Sequence, residues 1–159
     1  LEENYFDEKV TYGNSILRAI HYPPIVSDPQ DAIRAGEHED INLITLLVGA
    51  SADGLEVLNK NGEWIGVTEV EDHIVVNVGD MLQRLTNDQL KSTTHRVINP
   101  PKEQWANPRY SIPFFLHPRP EVRLDCLPQC VNENNPKKYE DCSAMEFLLQ
   151  RLREIGLIK

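Results

Sequence analysis

Apolar positions along the chain come in short bursts, each cut off by Gly, Asn, Asp or Pro. That rhythm predicts an all-β sandwich or barrel. Ser15 to Tyr22 reads as the first strand. Pro23-Pro24 stops it, because Pro lacks the ladder donor and restricts the residue before it. Ile25 to Glu37, with Asp28-Pro29, reads as a polar loop. Leu43 to Val48 reads as a continuous apolar strand buried on both faces, followed by a turn over Gly49 to Asp53. Leu55 to Leu58 and Glu63 to Val67 flank Asn61-Gly62, a strong hairpin signal. Ile74 to Val78 is β-branched and expected to be buried, ended by Gly79-Asp80. Ser92 to Ile98 alternates until Pro100-Pro101, and Tyr110 to Leu116 is the last strand before Pro118 and Pro120.

The pattern changes period once. Ser143 with Glu146 three residues later forms a capping box, and Leu148, Leu149, Leu152 and Ile155 then make an apolar helical stripe. Gly156 is its C-cap. Leu127 to Asp141 reads as a long polar loop, mobile or lid-like in character.

Composition narrows the classes. A chain of 159 residues, 40% of them apolar, fits one domain with a core. A net charge of -9 repels phosphate backbones and argues against a nucleic-acid partner. The longest apolar runs, such as Leu43 to Ala50, are too short to span a bilayer, and the acidic opening from Leu1 to Val10 does not read as a signal peptide. Cys126, Cys130 and Cys142 are odd in number and irregular in spacing, as expected of free thiols in a reducing, cytoplasmic compartment.

Candidate chemistry starts at His38-Glu39-Asp40. Positions i and i+2 of an extended segment face one side, so an imidazole and a carboxylate can converge on one ion. A second His from a distant strand would complete the facial triad of non-haem Fe(II) oxygenases, with three coordination positions left open. Taken alone, the motif also describes a solvated charge cluster beside Glu37. Arg109 and Ser111 share the same i, i+2 relation on the last strand. A guanidinium grips a carboxylate bidentately and a hydroxyl adds one bond, so the pair suits a small carboxylate.

These pieces stand in a definite order: Tyr22-Pro23, His38-Glu39-Asp40, the Leu43 to Val48 strand, Gly54-Leu55, Val76-Asn77-Val78-Gly79-Asp80, Ser92-Thr93-Thr94-His95-Arg96-Val97 and Arg109-Tyr110-Ser111. From about Ser15 to Pro118 that order resembles the isopenicillin N synthase-like branch of the 2-oxoglutarate/Fe(II)-dependent dioxygenases. The resemblance implies a mainly β fold, a double-stranded β-helix (jelly-roll) barrel with a C-terminal helix. It implies a single catalytic domain over residues 1–159, corresponding to the C-terminal half of a longer chain whose N-terminal region packs on the barrel. It assigns His38, Asp40 and His95 as catalytic iron ligands, and Arg109, Ser111 and Tyr22 as the 2-oxoglutarate anchor. O2 is then the oxidant, and a small molecule is hydroxylated, desaturated or ring-closed with release of succinate and CO2. Phe115 is implied to line the substrate pocket and to favour a hydrophobic or aromatic substrate, and His117 to sit at the barrel rim on the substrate side. His21 points away from Tyr22, and His73 is expected to be solvated. Ile20 stands where relatives often have Asn, which keeps open an oxidase of the same fold that uses no 2-oxoglutarate and holds its substrate's carboxylate with Arg109 and Ser111. A non-enzymatic jelly-roll binding module is the remaining alternative, and it predicts that no metal co-purifies.

Overall fold

The structure, a computed structural model, describes residues 1–48, 53–68 and 72–159. Antiparallel pairing organises it into two sheets. In the larger, β1 (Ile16–Leu17) and β2 (Ile20–Tyr22) pair in turn with one edge of β9 (Arg109–Leu116); β9 pairs with β4 (Ile44–Val48), and β4 with β7 (Ile74–Val78). The smaller sheet runs β3 (Ala35–His38), β8 (His95–Val97), β5 (Leu55–Leu58), β6 (Trp64–Gly66). The expected hairpin joins β5 to β6, with Gly62 at φ +79°, a left-handed value that glycine takes without a steric penalty. The Gly49–Asp53 turn lies largely outside the described residues.

Several expectations needed correction. The single strand over Ser15–Tyr22 is two short strands, interrupted at Arg18–Ala19. Arg18 donates its N–H to Pro113 O at 3.0 Å. Pro113 has no N–H to return, so the ladder breaks there. Part of the loop assigned to Ile25–Glu37 is strand β3, and only His95–Val97 of Ser92–Ile98 is extended. β4 and β7 are not buried on both faces: Val48, Ile74 and Val76 are 60%, 56% and 57% exposed. Each strand alternates, with Thr45, Leu47, Val75 and Asn77 turned inward.

The apolar core lies outside the barrel. Leu43, Met81, Leu85, Leu124, Ala144 and Phe147 cluster between the start of β4, helix α2 (Asp80–Leu85) and helix α3 (Ala144–Glu154). The short helix α1 (Asp7–Val10) leaves Val10 packed against this cluster, together with the preceding Phe6. Helix α2 was hidden by the Gly79-Asp80 turn signal. Helix α3 has the expected capping box, with Ser143 and Glu146 bonding each other's backbone N–H. Its terminus is a Schellman pair, Gly156 N–H to Arg153 O and Leu157 N–H to Leu152 O. Its buried anchors are Ala144 and Phe147, whereas Ile155 of the expected stripe is 53% exposed. The Leu127–Asp141 loop is pinned: fully buried Asn87 donates to the carbonyls of Cys130, Asn135 and Pro136. None of its residues lines the barrel cavity, so it is no lid over it.

Candidate active site

His38 ends β3 directly opposite His95 on β8, and the two rings lie 4.3 Å apart between centroids. His38 Nδ1 is 2.8 Å from Gly36 O, and His95 Nδ1 is 2.8 Å from Thr93 O. A carbonyl only accepts, so each Nδ1 is the donor in its bond, and each Nε2 is the nitrogen left to hold a metal. Asp40 is buried, with Oδ1 3.9 Å from His95 Nε2. One donor atom from each of His38, Asp40 and His95 lies within 4.8 Å of the others.

The orientation of Asp40 is set by residues on β4 and β7. Its Oδ2 accepts from Thr45 Oγ1 at 2.6 Å and from Asn77 Nδ2 at 3.0 Å, leaving Oδ1 toward the histidines. Thr45 and Asn77 face each other across β4 and β7. Thr45 Oγ1 in turn accepts from Asn42 Nδ2 at 2.9 Å, and Asn42 has no exposed surface. Gly79 closes against Asn42: a Cβ there would sit 2.3 Å from both Asn42 oxygens. Sequence reasoning passed over Thr45 and Asn77, although a Thr within an apolar run and an Asn within a β-branched run were the available signals.

The three donors open into a barrel cavity of about 230 Å³. Arg109, Ser111 and Tyr22 line it too. Arg109 is 2% and Ser111 6% exposed. Tyr22 pairs with Arg109 across β2 and β9, its ring 5.2 Å from the guanidinium, and Arg34 lies 6.0 Å from the same ring. Burial pulls the Arg109 pKa below the usual range, and the Tyr22 phenol opposes it. Two guanidiniums about one phenol ring make this end strongly attractive to an anion. Ile20, opposite Ser111, lines the cavity with no side-chain donor.

Phe115 lines the cavity. His117 does not; the rim position expected for it is corrected to a buried one at the end of β9, where its backbone N–H bonds Ser15 Oγ. Burial lowers the His117 pKa, and the charge of Asp40 opposes that. His21 turns outward and stacks on Tyr110, and His73 is exposed. Arg18, which sequence reasoning did not single out, also lines the cavity. The three cysteines are free thiols. Among the described residues no helix is long and apolar enough to cross a membrane.

Residues 13–118 match the family model of the 2OG-Fe(II) oxygenase superfamily. A 2OG-Fe(II) oxygenase family protein of known structure from Caulobacter crescentus is 53% identical with a TM-score of 0.90, over 98% of this chain and 50% of that one. A full-length Neurospora crassa protein crystallised in complex with alpha-KG and thymine is 41% identical with a TM-score of 0.85, over 96% of this chain and 47% of that one. The 2-oxoglutarate-Fe(II) type oxidoreductase ppzC of Metarhizium majus is 38% identical, over 96% of this chain and 42% of its own length. The chain thus spans about half the length of these relatives or somewhat less.

Proposed function

Because the chain belongs to the 2OG-Fe(II) oxygenase superfamily, we propose that it binds Fe(II) through His38, Asp40 and His95, binds 2-oxoglutarate through Arg109, Ser111 and Tyr22, and oxidises a small molecule with O2. The observation that carries this reading is the opening of the His-Asp-His donor cluster onto the same cavity as the buried Arg109 and Ser111.

The donor set fits the ion. Two neutral imidazoles and one carboxylate are the ligand types of a non-haem Fe(II) facial site. Each imidazole has its outer nitrogen tied to a carbonyl and the carboxylate has its outer oxygen tied to Thr45 and Asn77, the second layer of bonds that orients metal ligands. When bound, iron and 2-oxoglutarate supply the oxidising chemistry, with O2 consumed and succinate and CO2 released as the substrate is hydroxylated, desaturated or ring-closed. Arg109 then neutralises the far carboxylate of the co-substrate, and Ser111 and Tyr22 add hydrogen bonds. Ile20 favours the alternative oxidase that needs no 2-oxoglutarate. Against it, the Neurospora relative, 41% identical to this chain, has been crystallised with alpha-KG.

We extend the proposal to the partner and the compartment. On the outer face of the larger sheet, Val48, Ile74, Val76, Tyr110 and Ile112 are each more than half exposed. An apolar face of this kind needs a cover, and the region that relatives carry beyond the matched half is the cover we assign to it. Three free thiols suit the cytoplasm.

The test is anaerobic addition of Fe(II) and then 2-oxoglutarate. A visible metal-to-ligand charge-transfer band is expected, with one iron bound per chain and none in His38→Ala or His95→Ala. Iron binding unchanged in both variants would refute the ligand assignment. Bound iron with no band and no succinate would favour the oxidase that uses no 2-oxoglutarate.

A further inference from the structure

Arg18 is a cavity cation to which the reading above gives no role. Along the β1–β2 edge Arg18, Ile20 and Tyr22 fall on one face, and all three line the cavity. Tyr22 faces Arg109, and Arg18 stands four residues before it, about 13 Å along the edge by strand rise. Arg18 is therefore a second cationic position, apart from the Arg109 end. Its backbone is held by the 3.0 Å bond to Pro113 O. Its guanidinium makes no hydrogen bond or ion pair among the described residues.

The row beginning at Arg18 has a definite chemistry. Pro113 lies opposite Leu47, and Leu47 opposite Val75, all three lining the cavity. Phe115 stands on the same face of β9, two residues on. A cation at the sheet edge thus borders an apolar floor. Among the described residues, the fixed charges lining the cavity are Arg18, Arg109 and Asp40. With Fe(II) and dianionic 2-oxoglutarate bound, as proposed above, Asp40 and the dianion offset the metal and Arg109, and one positive charge remains, at Arg18. Arg18 stands exposed at the edge of the cavity, and a guanidinium is well met by a planar anion that it can grip with two hydrogen bonds.

We propose that Arg18 anchors the molecule to be oxidised, and that this molecule is a small organic acid: an apolar or aromatic body lying over Pro113, Leu47 and Val75, with one carboxylate at Arg18. The assignment rests on the function proposed above. The test uses the iron-loaded protein with 2-oxoglutarate under anaerobic conditions and follows perturbation of the visible band. The probes are benzoate, phenylacetate and hexanoate, compared with their amides and with thymine, the uncharged compound held by the Neurospora relative. At least one acid is expected to shift the band saturably, while its amide and thymine do not at roughly tenfold higher concentration. Arg18→Ala should weaken that acid by about tenfold or more while leaving the 2-oxoglutarate affinity within about twofold, and Arg18→Lys should restore part of the loss. The proposal is overturned if no acid binds, if amides or thymine bind as tightly, if Arg18→Ala leaves acid binding intact, or if excess 2-oxoglutarate displaces the acid. It is also overturned if Arg18→Ala weakens 2-oxoglutarate itself, which would make Arg18 part of the co-substrate anchor. Absence of the band in the unaltered protein would refute the co-substrate reading itself, and the Arg18 assignment would fall with it.

Discussion

The barrel interior of this chain sets buried polar and charged groups among an apolar lining, whereas the space between β4, α2 and α3 is apolar throughout. Behind the barrel, Leu43, Met81, Leu85, Leu124 and Phe147 are each 8% exposed or less. Inside it, Asp40, Thr45, Arg109 and Ser111 are just as inaccessible. A buried polar group destabilises a fold unless its hydrogen bonds are met. For Asp40 and Thr45 that condition is met through the Asn42–Thr45–Asp40–Asn77 network. Stability is therefore lodged in the helical buttress, and the barrel interior is left for binding. The two regions join at the start of α2. Asp80 donates its N–H to Asp40 O at 2.8 Å, while its carboxylate lies 3.3 Å from Arg151 of α3. Asp40 is thereby tied to the buttress through backbone rather than through side-chain packing.

If the division holds, cutting the buttress should cost stability without altering the site. Phe147→Ala, at a site 8% exposed, should lower the unfolding free energy by about 3–5 kcal/mol. Urea denaturation measures this. Fe(II) affinity, measured at low temperature where the variant stays folded, should be unchanged. A parallel loss of iron affinity would show that the two regions are not separable.

The converse change lies at the anion end of the interior. Arg109→Ala should weaken 2-oxoglutarate by about 2–5 kcal/mol, because a charge-assisted pair is lost and its partner is left unpaired. Iron should still bind, since Arg109 is not one of the three donors. Titration of the charge-transfer band reads the first effect and calorimetry with Fe(II) alone the second.

A subtler cut removes only one bond to Asp40. Asn77→Ala should lower iron affinity by about 10–100-fold, the usual effect of losing a group that orients a metal ligand. Thr45→Ser keeps its hydroxyl and should stay close to the unaltered protein. Equal losses in both variants would point to damaged packing rather than a lost hydrogen bond.

The smallest effect is one of pH. Burial lowers the His117 pKa, so the folded state holds this ring neutral. Above the unfolded value of about 6.5, folded and unfolded chains bind the same number of protons at this ring and it adds no pH dependence. As pH falls below that value, the unfolded chain takes up a proton that the native state resists, and stability declines toward the folded pKa. His117→Gln in the metal-free protein should flatten this part of the stability curve, by less than about 1.4 kcal/mol per pH unit. An unchanged slope between about pH 5 and 6.5 would show that His117 does not contribute to it.

Much of this was legible in the residue order. The hairpin at Asn61-Gly62, the strand before Pro118 and the capping box at Ser143 and Glu146 are local signals, decided within a few residues by backbone sterics and short hydrogen bonds. Strand alternation also put His38 with Asp40, and Arg109 with Ser111, on common faces; His95 came from the resemblance, and all five line the cavity. Other features were decided by tertiary contacts. Periodicity names a strand's two faces, but what packs on each decides which is covered, so Val48, Ile74 and Val76 are exposed despite their apolar character. Arg18 was separated from its neighbours only by the missing N–H of Pro113, ninety-five positions away. Which Asp40 oxygen faces the histidines was settled by Thr45 and Asn77, five and thirty-seven residues distant. Hydrogen bonds that long in sequence form only once the sheet registers are set, and no local pattern encodes them.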